Sequence, residues 1–336
     1  MKKVRIGILG CANIAGKYAI KSFQSIGNAE VVSIASRDYN KAKEWAAKFG
    51  IKAEESYDSL ISSKDIDAVY IPLPIGLHKE WVLKAANEKK HIICEKSLAE
   101  NLHSVEEIVS SCKSNDIVLY ENFMCDFHPQ HAKVLSLIEE GKIGKPIVFH
   151  GYFGFPPMAK DNFRYNSQLG GGSLNDAGAY TVFMARKIFA EEPLSVSCTL
   201  FNENNTDIHG AAKFEFDNNK VGLLAFSFDA VYQNNYSVWG SKGLIKVGRA
   251  YSIPPDFKPM VELTTNENLK ETTTTLNIPA ANHFDLIFSD FCNTVINKPK
   301  DKINLIYDKI LSQAKVLEAM RLSAKENKTI NLKEME

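Results

Sequence analysis

The chain lacks an excess of charge of either sign. Its 40 Lys and Arg balance 40 Asp and Glu, for a formal net charge of zero. Neutralising a phosphate backbone takes a basic excess, so nucleic acid is excluded as a main partner. Cysteine is sparse: 6 in 336 residues, with no Cys-x-x-Cys pair. Reduced thiols in a cytoplasmic protein are expected. No apolar run is long enough to span a membrane, so no membrane partner is expected. Met1-Lys2-Lys3-Val4-Arg5-Ile6 runs directly into a strand pattern, without the apolar core of a signal peptide. His128 and His131 find no third partner in the sequence, so no metal site is expected. No internal repeat is seen.

What is present is alternation. Val4–Leu9, Glu30–Ala35, Ala68–Ile71, His91–Cys94 and Ile117–Glu121 read as strands. Helical patterns lie between them, at about Asn13 to Ile26, from Asp38 to Gly50, Leu77–Lys89 and Ser104–Ser114. Asp38 suits an N-cap and Gly50 a left-handed stop. This order predicts a doubly wound parallel sheet, an α/β Rossmann domain over residues 1–121.

After about Asn122 the pattern changes. A helix from Pro129 to Glu140 is followed mainly by strands. Ala211–Phe216 and Val221–Phe228 flank the turn Asp217-Asn218-Asn219; Tyr236–Trp239 and Leu244–Val247 flank Gly240-Ser241-Lys242-Gly243. Residues 122–336 are therefore expected to form an α+β domain with an open, mostly antiparallel sheet, closed by helices at Asn282–Ile296 and Ile303–Glu326. Both faces of Val221–Phe228 are largely apolar. One face has a helix to lie on. The other is expected to meet a second subunit, in a homodimer or homotetramer.

The turn Gly10-Cys11-Ala12-Asn13-Ile14 lies where the first strand meets a helix. Gly10, Ala12 and Ala15 hold the spacing of GxGxxG/A, which lets the backbone approach a pyrophosphate at a helix N-terminus. Ala12 intrudes only a methyl group on the middle position. The second strand ends in Ser36-Arg37, where NAD sites place an acid. A serine and an arginine suit a 2′-phosphate instead, so NADP(H) is expected over NAD(H). Pro72 and Leu73, in a stiff loop after the third strand, are expected to shape the cofactor pocket. His78 either contacts the cofactor or caps its helix.

Glu95-Lys96 ends the fourth strand, and Asp176 and Tyr180 sit four residues apart after Gly170-Gly171-Gly172. Residues at that spacing share a helix face. A lysine at a strand end and an Asp/Tyr pair at a helix start can converge on one cleft. A carbonyl that receives hydride needs a proton donor, and a neighbouring ammonium eases tyrosine ionisation. Tyr180 is expected as general acid/base, Lys96 as its electrostatic partner and Asp176 as substrate orienter. Arg164 and Tyr165, on the loop ahead of the glycines, are candidates for binding a diphosphate or hydroxyls.

These motifs together resemble the Gfo/Idh/MocA family, the relatives of glucose–fructose oxidoreductase and inositol dehydrogenase. The resemblance spans nearly the whole chain. It implies a Rossmann domain, a second domain whose open sheet commonly forms the subunit interface, and metal-free redox chemistry on sugars, cyclitols, dihydrodiols or sugar nucleotides. Glu95-Lys96-Ser97 matches the family's Glu-Lys-Pro, with serine in place of proline. Tyr180 falls where some members carry histidine and others tyrosine, and Phe183 replaces an acid of the histidine members. Met124-Cys125-Asp126-Phe127-His128-Pro129 lacks the arginine that relatives often have there. His128 is a further substrate-binding candidate. His128-Pro129-Gln130-His131 and Pro254-Pro255-Asp256 resemble the sugar-nucleotide 3-ketoreductases. The expected activity is NADP(H)-dependent reduction of a nucleotide-linked keto-sugar. The rivals are a free-sugar or dihydrodiol dehydrogenase and a non-catalytic NADP-binding regulator.

Overall fold

The computed structural model describes residues 2–335. The chain divides into two compact units. One runs through Met124 and takes in Phe284–Leu311; the other holds Cys125–His283 and the chain from Ser312.

The first unit is built on strands β1 (Val4–Leu9), β2 (Ala29–Ala35), β3 (Lys52–Glu54), β4 (Ala68–Ile71), β5 (His91–Glu95) and β6 (Leu119–Asn122). They form one parallel sheet in the order β3-β2-β1-β4-β5-β6. Helices α1 (Ile20–Ser25), α2 (Tyr39–Phe49), α3 (Tyr57–Ser62), α4 (His78–Asn87) and α5 (Leu102–Ser114) connect them. The central strands are buried on both faces, as their unbroken apolar runs require. Strand order reverses between β1 and β4, and ligands of such sheets sit at the carboxyl ends beside that reversal. The expected caps of α2 are present. Asp38 accepts from the amides of Asn40 and Lys41, and Gly50 is left-handed at φ 68°.

The second unit contributes α6 (Pro129–Glu139), α7 (Ala179–Phe189) and a sheet of nine strands. These are β7 (Pro146–Gly154), β8 (Ser195–Glu203), β9 (Thr206–Glu215), β10 (Val221–Ser227), β11 (Gln233–Gly240), β12 (Gly243–Val247), β13 (Met260–Glu267), β14 (Lys270–Asn277) and β15 (Ile330–Asn331). Their order is β14-β13-β12-β11-β7-β10-β9-β8-β15. Only β7 and β10 pair in parallel. Helix α7 lies on β7 and β10, with Phe149 edge-on to Phe189 at 6.4 Å and Phe153 edge-on to Tyr180 at 5.4 Å.

Two helices complete the chain, α8 (His283–Asn297) and α9 (Lys300–Glu326). The sequence assigned all of residues 122–336 to the second domain, yet Phe284–Leu311 packs with the first unit. The cause is aromatic. Phe288 stacks on Phe23 at 3.9 Å and meets Tyr70 edge-on at 5.7 Å, covering the parallel sheet. Tyr120 bonds Asp290 and Thr294 from β6 at 2.8 and 2.9 Å.

Candidate active site

In the first unit the candidate residues follow strand ends. After β1, Gly10 adopts φ +117°, and its amide donates to the Ala35 carbonyl at 2.9 Å. A Cβ there would lie 2.9 Å from the Leu73 side chain, so the turn and the Leu73 loop approach more closely than other residues allow. Ala12 and Ile14 are partly exposed and Asn13 is exposed at the helix start, leaving that terminus open to an anion. Cys11 is half-buried in the turn. Burial pushes its thiol up, against a weaker pull from Ser36, so it is no thiolate at neutral pH.

After β2, Ser36 accepts from the Asp38 amide at 3.3 Å and Arg37 is exposed. The Asp38 carboxylate is committed to capping α2. The exposed cation at this strand end therefore has no capping duty of its own. The turn, the serine and the arginine fit a dinucleotide carrying a 2′-phosphate.

His78 does not cap α4, whose N-cap is Leu77. Its ring is fully buried and lies 2.7 Å from the Leu73 carbonyl and 2.9 Å from that of Ser97. Burial lowers its pKa to about 4, with the Lys96 charge adding to the effect. A neutral ring donates to one of the two carbonyls at a time. His78 thus clamps the Pro72-Leu73 loop to the turn after β5.

That turn carries Lys96, nearly buried at 8% exposure, and the Lys96–Ser97 peptide is cis. One oxygen of Glu95 receives the Tyr70 hydroxyl at 2.5 Å and the Asn122 amide at 2.6 Å. Glu121 accepts from the Leu98 amide at 2.8 Å. Carboxylates on neighbouring strands thus fix the backbone on both sides of Lys96.

In the second unit the candidates gather around the start of α7. Gly172 has φ +128°, and a Cβ there would lie 2.3 Å from an Asp207 oxygen. A Cβ on Gly171 would lie 2.4 Å from the Arg164 carbonyl. The glycine run is therefore a close-approach element. Asp207, from β9, takes the Ser173 hydroxyl at 2.7 Å and the Leu174 amide at 2.6 Å. An acid at a helix start is doubly favourable, as acceptor and as partner of the helix dipole. Sequence reading missed Asp207, because it lies 34 residues beyond Ser173 on another strand.

Leu174–Gly178 forms one wide π turn that continues into α7. It brings Asp176 and Tyr180 onto successive turns, as their spacing predicts. The Arg164 Nε donates to Asp176, and that carboxylate holds the guanidinium proton more tightly than usual. Arg164 also covers the Phe163 ring at 4.7 Å. The expected orienter and the expected anion binder are thus one ion pair. Tyr180 is 6% exposed, with its ring 5.9 Å from that of Tyr251.

Two further substrate-binding candidates also hold local structure together. His128 is 1% exposed, accepts the Gln130 amide at the N-cap of α6, and has its pKa lowered by burial to about 4. The following Pro129 occupies the first helical position, which fixes His128 as a cap. Tyr165 turns its hydroxyl inward: it accepts from the Met158 amide at 3.0 Å and lies 3.5 Å from the Phe228 carbonyl.

The oxidoreductase family with an NAD-binding Rossmann fold, GFO/IDH/MocA, matches residues 4–123, and the GFO/IDH/MocA C-terminal domain matches 131–246. A dTDP-3,4-didehydro-2,6-dideoxy-alpha-D-glucose 3-reductase from Saccharopolyspora spinosa is 35% identical over 282 residues, covering 83% of each chain. A D-xylose 1-dehydrogenase (NADP(+)) from Haloferax volcanii is 33% identical, over 74% of this chain and 77% of its own. Among solved structures, a 3-ketoreductase from Actinomadura kijaniata in complex with NADP and TDP-benzene aligns with a TM-score of 0.90. It is 30% identical, over 96% of this chain and 98% of its own. That ketoreductase has also been solved with one tyrosine changed to phenylalanine, and with one lysine changed to alanine or glutamate.

Proposed function

This chain belongs to the Gfo/Idh/MocA oxidoreductase family, and we propose that it reduces the keto group of a nucleotide-linked sugar with NADPH. The observation that carries the cofactor is the end of β2, where Ser36 and exposed Arg37 stand and the nearest acid is spent on a helix cap. Gly10 to Ile14 would hold the pyrophosphate. When bound, NADPH supplies the hydride to the carbonyl carbon.

The remaining steps fall to the chain's own residues. Tyr180 gives its phenolic proton to the oxygen as negative charge grows there. The Lys96 ammonium stabilises that charge and the tyrosinate left behind. Asp176, held by Arg164, orients substrate hydroxyls, and the partly exposed Arg164 side chain supplies positive charge for anionic groups of the substrate. In the Actinomadura ketoreductase the altered lysine and tyrosine lie as far apart along the chain as Lys96 and Tyr180 do here, which supports the pairing.

The second sheet supports self-association. Trp239, Tyr152 and Leu223 are 57%, 39% and 37% exposed on strands β11, β7 and β10. They form part of the face opposite α7, and we assign it to a homodimer or homotetramer contact, tested by sedimentation of Trp239→Lys. No helix among the described residues is long and apolar enough to cross a membrane. The six cysteines, five of them buried, form no disulfide among the described residues, which fits a reducing cytoplasm.

Calorimetric titration of the NADPH-saturated protein with thymidine and uridine diphosphates tests the substrate class. Tight binding of one names the carrier. Binding of neither favours a free sugar or diol, the reading supported by the xylose dehydrogenase relative. Failure to turn over any carbonyl would favour a regulator, against which stands the intact Lys96, Asp176 and Tyr180 set.

A further inference from the structure

The buried face of α9 carries an amide among apolar side chains. Leu317 and Met320 are buried, and Gln313, which shares their face at helical spacing, is 2% exposed. A buried amide is costly unless its polar atoms are bonded. Gln313 bonds at both ends. Its Nε2 donates to the Ala179 carbonyl at 3.0 Å, and its Oε1 accepts from Nη1 of Arg186 at 2.6 Å. Arginine has no acceptor, so this contact settles which end of the amide is oxygen. Arg186 is itself buried and turns Nε and Nη2 to Glu192, each at 2.6 Å. A guanidinium fixed in this way aims the Gln313 amide at Ala179.

Ala179 joins the π turn to α7. Its amide reaches back to the Leu174 carbonyl, and its carbonyl takes Gln313. Tyr180 is the next residue. Helix α9 holds the same segment a second time, just ahead of Asp176: Nη2 of Arg321 donates to Asn175 Oδ1 at 2.5 Å, and Glu318 braces Arg321 at 2.7 Å. The helix is anchored in turn. Ser323 accepts from the Cys198 amide of β8 at 2.8 Å and donates to the Lys328 carbonyl at 2.6 Å. A π turn is a rare conformation, found mostly as a single turn at functional sites. If it slips to α spacing, every residue after it rotates about the helix axis. Contacts at Asn175 and Ala179 oppose that slip.

We propose that Gln313 and Arg321 are positioning residues for the reduction, Gln313 setting the aim of Tyr180 and Arg321 that of Asp176. This rests on the roles given above to Tyr180 and Asp176. Both α9 residues act through the segment they hold, and a misplacement of about 1 Å at a reacting group can cost about a hundredfold in rate.

The test is turnover and NADPH titration of wild type, Gln313→Glu, Gln313→Met and Arg321→Gln, with a dTDP-linked 3-keto sugar and, for the free-sugar reading, D-xylose with NADP as probes. Melting temperature reports folding. Gln313→Glu keeps an acceptor for Arg186 and loses the donor to Ala179. Its kcat should fall by about tenfold to a hundredfold, with substrate KM and NADPH affinity near wild type. The solvent deuterium isotope effect on kcat should rise, because a misaimed tyrosine transfers its proton more slowly. Gln313→Met loses both contacts and should melt earlier, with kcat no lower than in Gln313→Glu. Arg321→Gln alters a partly exposed residue and tests the other hold. It should raise substrate KM by about tenfold, as loss of a charge-assisted hydrogen bond allows, and leave kcat nearly unchanged. Wild-type kcat and isotope effect in Gln313→Glu, or a kcat loss confined to variants that melt early, overturns the role of Gln313 and leaves Tyr180 as the acid. Wild-type KM in Arg321→Gln overturns the role of Arg321. Absence of wild-type turnover with both probes overturns the catalytic reading, and the positioning roles with it.

Discussion

In the first unit, Gly10, Arg37, Leu73 and Lys96 each follow the end of a strand in one parallel sheet. In the second, Asp176 and Tyr180 ride on a helix start that distant side chains hold, Arg164 from a preceding loop and Asp207 from β9. The first arrangement follows from chain direction, since parallel strands deliver their carboxyl ends to one edge whatever the side chains are. The second depends on particular charged contacts. Cofactor binding should therefore tolerate change in the second unit, and substrate chemistry should be sensitive to change well away from Tyr180.

The largest effect should come from the two groups assigned to proton and charge. Tyr180→Phe and Lys96→Ala should each lower kcat by about 10² to 10⁴, the range for loss of a general acid, while the Kd for NADPH stays near wild type. Stopped-flow reduction and fluorescence titration of NADPH measure the two quantities. Wild-type turnover in either variant removes that residue from the mechanism. Arg37→Ala should come next. Loss of a charge-assisted contact, about 1.5–3 kcal/mol, raises the KM for NADPH roughly tenfold or more and leaves that for NADH unchanged. An equal rise for both cofactors would show that Arg37 does not read the 2′-phosphate.

Asp207→Ala sharpens the contrast from the other side. It removes the acceptor of the Ser173 hydroxyl and the Leu174 amide. The expected outcome is a smaller kcat and a raised substrate KM, each by about fivefold to tenfold, with NADPH affinity intact; a cap of this kind is worth about 1 kcal/mol. Asp207→Asn keeps an acceptor and should restore most of the loss. Weakened NADPH binding would mean that the two sets of residues are not independent.

The same difference decided what could be read from the sequence. Apolar runs fixed by burial were legible to the residue: Val4–Leu9 and Ala68–Ile71 are β1 and β4. Strand β3 was missed, since Lys52–Glu54 is three residues long, polar and at the sheet edge. Helix α3 was missed although Ser56 and Ser59 form a reciprocal capping box that its sequence announces. The glycine turn was legible because its conformation is set locally, with Gly10 at φ +117°. The Arg164–Asp176 pair was not, because the two lie twelve positions apart and the chain between them folds back through Gly170-Gly171-Gly172. The His78 contacts were hidden for a related reason: its partners are main-chain carbonyls, which carry no sequence signal.

The smallest effect at neutral pH, and the one that compares the units most directly, is acid sensitivity. The second unit buries His128, His131 and His283, whose pKa values burial lowers to about 4, about 3 and about 3. In the first unit His78 and His91 are lowered to about 4. His131 lies 2.9 Å from the Tyr236 hydroxyl and 3.0 Å from the Ala250 carbonyl, and the Lys187 charge further opposes its protonation. All five stay neutral in the folded chain, while in the unfolded chain each takes a proton near its ordinary value of about 6.5. Their contribution to stability is whole above about pH 6.5 and is lost as pH falls from there towards about 4, at up to about 1.4 kcal/mol per pH unit for each group. Carboxylates enter only at lower pH, so urea melts at about pH 7.5, 6.0 and 5.0 isolate the histidines. With three such groups against two, a probe in the second unit, such as Trp239 fluorescence, should lose midpoint faster with acid than one in the first, such as Trp81. His131→Gln should flatten the Trp239 slope by one proton's worth. An unchanged slope would mean that His131 titrates alike in both states and that its burial is relieved by a motion of the loop carrying Ala250.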